Sequence, residues 1–231
     1  MKYIRLANGR IRALATFVLA DGRTITAGTL GGTIDSPRNL ALSGSSWVLP
    51  NAQVRHNAYV SGEAIIQGNS VVSEHAKVYG EAIIDNGSVR GRARVLGSAF
   101  VQSGAAVAGE ACVSGDAKIM GANTRIDGRT RIQGEAIIRN GGIVDAQARV
   151  FGQAIVEGRV TAKAQVYGCA FVNQSSIVRG NARLSGCVTL IHSILEESAI
   201  VYGDHEIENE TIRDAGLVTN CPEKGVQDCC P

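Results

Sequence analysis

A short unit repeats along most of the chain with a period of six residues. Each unit has a small residue, any residue, an aliphatic residue, any residue and then usually glycine, as in Ala93-Arg94-Val95-Leu96-Gly97. Six is neither a helical period nor a simple strand period. A fixed short repeat of this kind is typical of a parallel β-helix, in which each unit forms one side of a coil. The sequence therefore predicts an all-β solenoid.

Inward-facing aliphatic residues can be assigned from Leu42 to Ile212, and most of them are spaced six apart. The other spacings, such as the short step from Ile84 to Val89, all fall at one corner when strands are counted in threes from Val48. One corner where the number of residues varies, and two corners where it stays constant, predict a three-sided, single-stranded coil. About ten turns of about 18 residues are expected.

The N-terminal segment differs from the repeats. Asn8-Gly9 and Asp21-Gly22 are hairpin-turn dipeptides between alternating residues, which favours strands over a signal peptide. Gly28, Gly31 and Gly32 are predicted to form a bend where this cap becomes the coil. After Ile212 the periodicity ends. The predicted domains are a β-hairpin cap over 1–35, a parallel β-helix over 36–213 and an irregular tail over 214–231.

The composition restricts the possible partners. The chain has 231 residues and a net charge of +2, from 23 basic and 21 acidic residues. A near-neutral chain has no overall field that would attract nucleic acid or imitate it. No apolar run approaches the length needed to span a membrane, so no membrane association is expected.

The cysteines are scattered, unlike those of a small disulfide-rich scaffold. Cys169 and Cys187 are 18 residues apart and should stack on neighbouring turns, within reach of a disulfide. Two free thiols in a reducing compartment are nevertheless the favoured interpretation, and a cytoplasmic location is expected. The tail residues Cys221, Cys229 and Cys230 lack the usual paired spacing of zinc ligands, and metal binding by them is left open.

Outward positions of the face that contains Val48 form an unusually apolar row, which Lys118 interrupts. A contiguous apolar row on a strand surface that should be wet indicates association. We expect a homo-oligomer, a dimer or a trimer, to form through it. The predicted interface comprises Trp47, Ile65, Ile83, Phe100, Ile137, Ile155 and Phe171.

A second outward row is basic and aromatic, and it is a candidate surface for a ligand or nucleic acid. Cations contact phosphates, and aromatic rings stack on bases. Carboxylates at the adjoining corner would partly neutralise the field, so nucleic acid is the less favoured interpretation: these are Glu63, Glu81, Asp116 and Glu135. The candidate residues are Lys77, Tyr79, Arg94, Arg131, Arg149, Phe151, Tyr167 and Arg183.

The repeat resembles that of the hexapeptide-repeat proteins, which form left-handed parallel β-helices. Residues near the N-terminus further resemble the cap and first turn of the YdcK-type proteins of bacteria and phages: Gly31, Gly32, Asn39, Leu40, Gly44, Trp47 and Val48. The resemblance implies the fold. A phage source would be consistent with action on a host or defence protein.

Many hexapeptide-repeat proteins are acyltransferases with a histidine base and a loop that bulges from the coil. Here the longest excursion in the coil is one extra residue, between Ile119 and Ile126. His56 and His75 lie about one turn apart without a third ligand nearby in sequence, so neither a catalytic nor a metal site is expected. The sequence favours a non-enzymatic, self-associating scaffold that presents a rigid face to a protein partner and needs no cofactor. An acyl-CoA-dependent enzyme and a nucleic-acid-binding rod are the alternatives.

Overall fold

The computed structural model describes residues 2–213 and the strand Leu217–Thr219. It confirms the predicted architecture, a parallel β-solenoid of about ten turns with a spacing of about 18 residues, preceded by an antiparallel hairpin. Three parallel sheets form the three sides of the coil. In the described part of the chain, no helix is long and apolar enough to cross a membrane.

The N-terminal cap consists of five short strands. Three of them, β1, β2 and β5, join ten coil strands in one 13-stranded sheet, because β5 pairs antiparallel with β2 and parallel with Gln53–Val54. Cap and coil are therefore continuous. The cap elements are β1 (Tyr3–Arg5), β2 (Arg10–Ala13), β3 (Phe17–Val18), β4 (Thr24–Ile25) and β5 (Leu30–Ile34), followed by a 3₁₀ helix, Pro37–Asn39.

Every third coil strand belongs to the same face, as predicted. The first face contains Trp47–Val48, Ile65–Gln67, Ile83–Asp85, Phe100–Gln102, Lys118–Met120, Ile137–Ile138, Ile155–Val156, Phe171–Val172, Thr189–Ile191 and Glu206–Glu208. The second face contains Gln53–Val54, Val71–Val72, Ser88–Val89, Ala106–Val107, Arg125–Ile126, Ile143–Val144, Arg159–Val160, Ile177–Val178, Ile194–Leu195 and Thr211–Ile212. The third face contains Tyr59–Val60, Lys77–Val78, Arg94–Val95, Cys112–Val113, Arg131–Ile132, Arg149–Val150, Gln165–Val166, Arg183–Leu184, Ile200–Tyr202 and Leu217–Thr219.

The period of six follows from the interior of the coil. Each strand points a small residue and an aliphatic residue inward and the residue between them outward, because side chains alternate along a strand. Ala93 and Val95 are fully buried, whereas Arg94 between them is exposed. Only small and aliphatic side chains fit this narrow core, which explains the low aromatic content.

Each turn of the coil is here called a rung. The corner between the third and first faces, here called the glycine edge, has glycine in each described rung from Gly62 to Gly203. All of these glycines have positive φ, which side chains with a Cβ disfavour. A Cβ on Gly134 would lie 3.0 Å from the carbonyl oxygen of Gly152 in the next rung. The edge comprises Gly62, Gly80, Gly97, Gly115, Gly134, Gly152, Gly168, Gly186 and Gly203.

The cap covers the first rungs of the first face, which corrects the exposure predicted for Trp47 and Ile65. Both side chains are fully buried. The Phe17 ring lies 5.4 Å from the Trp47 ring in an edge-on contact, and Arg23, between β3 and β4, hydrogen-bonds Gln67 on the second rung. These two residues are therefore part of the core, and they are not available to the predicted interface.

Lys2 attaches the cap to the coil. Its Nζ donates hydrogen bonds to the carbonyl oxygens of Ser46 at 2.8 Å and Gly44 at 3.2 Å. Burial lowers the pKa of Lys2 to about 8, because a low-dielectric environment disfavours the charged amine. The polar contacts of the amine partly offset that cost.

Two details of the predicted start of the coil were wrong. Leu42 is exposed, and Leu40 instead is buried and pairs with Val60 on the third face. Gly31 and Gly32 do not form a bend but lie within β5. A Cβ on Gly31 would lie 2.5 Å from the Val48 carbonyl oxygen, so glycine is required there by the close approach of another strand.

The predicted irregular tail begins too early. Leu217–Thr219 forms a strand that pairs parallel with Ile200–Tyr202, so the third face continues beyond Ile212. A strand is favoured here because the preceding rung offers unpaired backbone groups. The cysteines at 221, 229 and 230 lie outside the described residues.

Cys169 and Cys187 form a disulfide, which corrects the prediction of two free thiols. Both residues follow a glycine of the glycine edge on successive rungs. Their Cα atoms are 4.7 Å apart, because neighbouring rungs are separated by one strand spacing. The backbone alone therefore places the two thiols within bonding reach.

Candidate functional site

The third face presents a ladder of long cationic side chains, as the sequence predicted. Successive rungs pair in register, so Lys77 lies beside Arg94, and Arg131 lies beside Arg149. The backbone N–H of Arg131 donates to the carbonyl oxygen of Ala148 at 3.1 Å, and this repeated bond fixes the spacing of the rungs. The ladder is interrupted twice, by Cys112 and by Gln165.

A second row of polar side chains lies at the corner between the second and third faces. Each of its residues lies two positions before the outward residue of a third-face strand, as Arg92 does before Arg94 and Arg129 before Arg131. This row was not predicted from the sequence, because outward residues were assigned to faces only at strand positions. The same 18-residue stacking could have found it.

The two rows enclose a surface groove, here called the basic groove. Its two parts have volumes of about 550 and 400 Å³ and share Arg129 and Arg131, so they are continuous. The first part is lined by His75, Lys77, Arg92, Arg94, Glu110, Cys112, Arg129, Thr130 and Arg131. The second part is lined by Arg129, Arg131, Gln147, Arg149, Lys163, Gln165, Asn181 and Arg183.

The basic groove is strongly unbalanced in charge. Glu110 is the single carboxylate of the lining, and its carboxylate oxygens lie 3.0 Å from Arg129 Nε and 4.0 Å from Arg92 Nη1. The other six cations have no carboxylate of the described residues within 4.0 Å: Lys77, Arg94, Arg131, Arg149, Lys163 and Arg183. Uncompensated cations along one line attract an extended anion.

The carboxylates that the sequence analysis expected to weaken this field lie elsewhere. Glu63, Glu81, Asp116 and Glu135 each follow a glycine of the glycine edge, across the third face from the corner row. Glu135 accepts a hydrogen bond from Gln153 Nε2 at 3.1 Å. Among the described residues none of these four carboxylates lies within 4.0 Å of a groove cation, so none of them forms an ion pair with the ladder.

The aromatic residues of the third face do not line the groove. Tyr79, Phe151 and Tyr167 follow the inward residue of their strands and lie beside the glycine edge. The rings of Phe151 and Tyr167 stack on each other with centroids 4.8 Å apart and planes within 2°. These two rings lie outside both parts of the groove and each covers one face of the other, so they offer no stacking surface along the ladder.

Ion pairs tie together the rungs beside the groove. Glu196 is buried and contacts both Arg179 and Arg213, one rung to either side. Hydrogen bonds from Arg179 and then Arg213 lower the pKa of Glu196 below its ordinary value. These arginines are paired with a carboxylate across rungs, whereas Arg94, Arg131, Arg149 and Arg183 of the groove have no such partner among the described residues.

The apolar row of the first face is shorter than predicted. Ile83 and Phe100 are adjacent in register and half-buried, and so are Ile137, Ile155 and Phe171 further along the rod. Lys118 separates the two groups and is exposed. The role of the five residues as an interface stays a prediction.

The histidines occupy separate positions. His75 lines one end of the basic groove, with its Nε2 3.4 Å from Asn57 Nδ2, and His56 Nδ1 accepts a hydrogen bond from the backbone N–H of Glu74 at 3.3 Å. Within residues 2–213, no three His, Cys, Asp or Glu side chains converge as metal ligands would.

Comparison with known proteins gives no further guide to the role of the groove. No protein-family model and no curated protein matches the chain.

Proposed function

We propose that the protein is a non-enzymatic rod that binds the sugar-phosphate backbone of single-stranded nucleic acid in its basic groove. The observation that carries the proposal is the lining of the second part of the groove. Five of its eight residues are cations and the other three are side-chain amides. Lysine, arginine and amide side chains are the groups that contact phosphate and sugar oxygens.

This lining suits a nucleic-acid backbone better than a peptide. Peptide grooves combine apolar pockets for side chains with an exposed strand edge. The second part of the groove has no apolar side chain, and the third-face strands that form its floor are paired on both sides. Phosphates need neither feature, because their contacts with cations are electrostatic and release bound counterions.

The dimensions fit one strand. From Lys77 to Arg183 the ladder spans six rung steps, or about 29 Å. The two rows are two residues apart, about 7 Å, so they flank a single line of phosphates. Because the described lining has no Phe, Tyr or Trp on which bases could stack, the proposed binding depends mainly on phosphate contacts rather than on base sequence.

Fluorescence anisotropy with a labelled single-stranded oligonucleotide tests the proposal. The double variant Arg131→Gln/Arg149→Gln removes two uncompensated cations, and we expect about a tenfold loss of affinity at low salt. Lys118→Gln, on the first face, is the matched control and should change the affinity less than twofold. Equal affinities for the double variant and the wild type would contradict the proposal.

A second candidate function is association with protein, through the first face. We infer from the half-buried apolar residues on consecutive rungs, Ile137, Ile155 and Phe171, that two or three copies pack along this side. Lysine substitutions at Ile83, Phe100 and Ile137 should then give monomers in light scattering, and an unchanged mass would refute the inference. The proposed assignment to the hexapeptide-repeat and YdcK-type proteins and a phage-related protein partner rest on the sequence resemblance. The proposed cytoplasmic location rests on the scattered cysteines.

A further inference from the structure

Two rows of exposed charge border the third face, and they do not neutralise each other within one molecule. One is the cation ladder of the basic groove. The other, here called the acidic row, lies along the glycine edge and has four exposed carboxylates: Glu63, Glu81, Asp116 and Glu135. None of the four lies within 4.0 Å of a lysine or arginine nitrogen of the described residues. We infer that the acidic row of one copy of this chain binds the basic groove of a second copy, with the rods parallel and offset by one rung.

The pattern of charges along the two rows supports this pairing. Rungs are counted from the one that contains Tyr59–Val60, and each carboxylate is counted with the third-face strand that precedes it. The acidic row then has carboxylates in the first, second, fourth and fifth rungs. The ladder has cations in the second, third, fifth and sixth rungs, which are Lys77, Arg94, Arg131 and Arg149. The two patterns coincide after a shift of one rung.

The uncharged positions also match with this offset. Ser98, in the third rung of the acidic row, faces Cys112, which interrupts the ladder. Gln153, in the sixth rung, faces Gln165, the second interruption. A carboxylate therefore faces a cation at four positions, and uncharged side chains face each other at the two remaining positions. Arg183, in the eighth rung, lies beyond the last matched pair.

The common spacing of the rungs keeps the two rows in register. Neighbouring strands of the coil are about 4.8 Å apart, so a second copy repeats its charges at the same interval. The four pairs extend over four rung steps, or about 19 Å. The glycine edge is a corner of a three-sided coil, so the acidic row lies on a convex ridge, whereas the cations line a groove.

Each row is unfavourable in a single copy. Lys77 pairs in register with Arg94, and like charges on neighbouring strands repel. Glu63 and Glu81 are also one rung apart, because the backbone N–H of Glu63 donates to the carbonyl oxygen of Gly80 at 2.8 Å. Pairing the two rows places an opposite charge beside each of these groups.

The parallel arrangement fits better than the antiparallel one. The spacing of the four charges is the same in both directions, so an antiparallel copy would also form four ion pairs. However, it would place Gln153 opposite Tyr59 and the N-terminal cap opposite Arg183. The parallel copy overlaps all rungs but one and keeps the two amides together.

The contact joins two different surfaces of the chain, so it is heterologous. Each added copy is displaced along the rod by one rung, about 4.8 Å, and the arrangement does not close into a ring. The average mass should therefore rise with protein concentration without stopping at a dimer or trimer, unlike association through the first face. The inference goes beyond the proposed function, and an oligonucleotide would compete with the acidic row for the same cations.

Sedimentation velocity over a range of protein concentrations tests the contact. At about 20 mM salt we expect the average mass of the wild type to rise with concentration, and at about 500 mM salt this rise should disappear, because salt screens exposed charges. Glu135→Lys should weaken the association at low salt about tenfold, because it places two cations opposite each other. Circular dichroism establishes that each variant is folded.

Three double variants with the net charge of the wild type identify the register. Glu135→Lys/Arg149→Glu exchanges the charges of one proposed pair, so association should return to within about twofold of the wild type. Glu135→Lys/Arg94→Glu exchanges charges that do not face each other and should stay about tenfold weaker. Glu135→Lys/Lys77→Glu exchanges a pair that only antiparallel copies would form, and it should stay equally weak.

Two results would overturn the inference: an average mass of the wild type that changes with neither protein concentration nor salt, or equal association by the three double variants. Restoration by the Lys77 exchange in place of the Arg149 exchange would overturn the parallel arrangement. Oligonucleotide binding, measured at protein concentrations too low for self-association, tests the proposed function separately.

Discussion

The two edges of the third face are made from the same repeat and have opposite properties. At the glycine edge, each described rung from Gly62 to Gly203 has glycine with positive φ, and the next residue is often acidic. At the opposite corner the same backbone conformation is adopted by His56, Glu74 and Ala146, and the row that follows is mainly cationic or amide. Packing between rungs restricts the glycine edge to glycine, whereas the opposite corner tolerates several residue types.

This difference separates residues that build the coil from residues that are available to a ligand. A glycine fixed by the backbone of the next rung carries no information about function. An exposed arginine without a partner contributes little to stability, so its presence in several rungs has another cause. The basic groove is therefore the better candidate for the functional surface.

The largest expected effect is on stability, at the glycine edge. Gly134→Ala places a Cβ 3.0 Å from the Gly152 carbonyl oxygen in a backbone with φ of 71°, and we expect a loss of about 3 kcal/mol in the free energy of unfolding. Gly141→Ala, with a φ of 85° but no atom within 4 Å of its Cβ, should cost only about 1 kcal/mol. Denaturant unfolding measures both, and equal losses would show that rung contact does not restrict this edge.

The next effect concerns the disulfide beside the glycine edge. Replacing Cys169 and Cys187 by serine opens a loop of 18 residues, which should cost up to about 3 kcal/mol. Cys112→Ser is the matched control and should leave the melting temperature within about 1 °C. Equal melting temperatures for the double variant and the wild type under oxidising conditions would count against the bond.

A charge reversal on each side of the third face compares the edges directly. Arg131→Glu should lower oligonucleotide affinity by more than tenfold, because it replaces an uncompensated cation of the groove. Glu135→Lys, at the glycine edge and outside the groove, should change it less than about twofold at 0.1 M salt. Similar effects of the two substitutions would mean that ligand binding does not distinguish the edges.

Glu110→Gln should have a smaller effect of opposite sign. Removing the single carboxylate of the lining frees Arg92 and Arg129 from an exposed ion pair, so we expect oligonucleotide affinity to rise by about threefold. Glu81→Gln, outside the groove, is the control. Weaker binding by Glu110→Gln would assign the carboxylate a role in positioning the arginines.

The smallest effect is a pH dependence of stability from Glu196. Its pKa is lowered in the folded protein by Arg179 and Arg213, so its stabilising contribution is present above the pKa of the unfolded chain. That contribution is lost as the pH falls through the folded pKa. Glu196→Gln should flatten this part of the stability profile, and an unchanged profile would show that the ion pairs contribute nothing measurable.

The sequence predicted the coil because its repeat is local. Counting inward residues from Val48 assigned Arg94 and Ile83 to their correct faces, since each turn repeats the geometry of the previous one. The burial of Trp47 was not predictable in this way, because it depends on a contact with Phe17, 30 positions earlier. The six-residue repeat carries no information about contacts between the cap and the coil.

The groove was only half predictable for a related reason. Lys77 and Arg131 were found because they occupy strand positions, and Arg129 was missed because it occupies a corner.

The salt dependence of oligonucleotide binding shows whether the basic groove holds a chain of phosphates. A groove about 29 Å long should contact about four phosphates of a single strand, and the plot of log Kobs against log salt concentration should then have a slope of about −3. The slope should become shallower by about 0.7 when a cation that contacts a phosphate is removed. No binding at 50 mM salt, or a flat response to salt, would contradict the account.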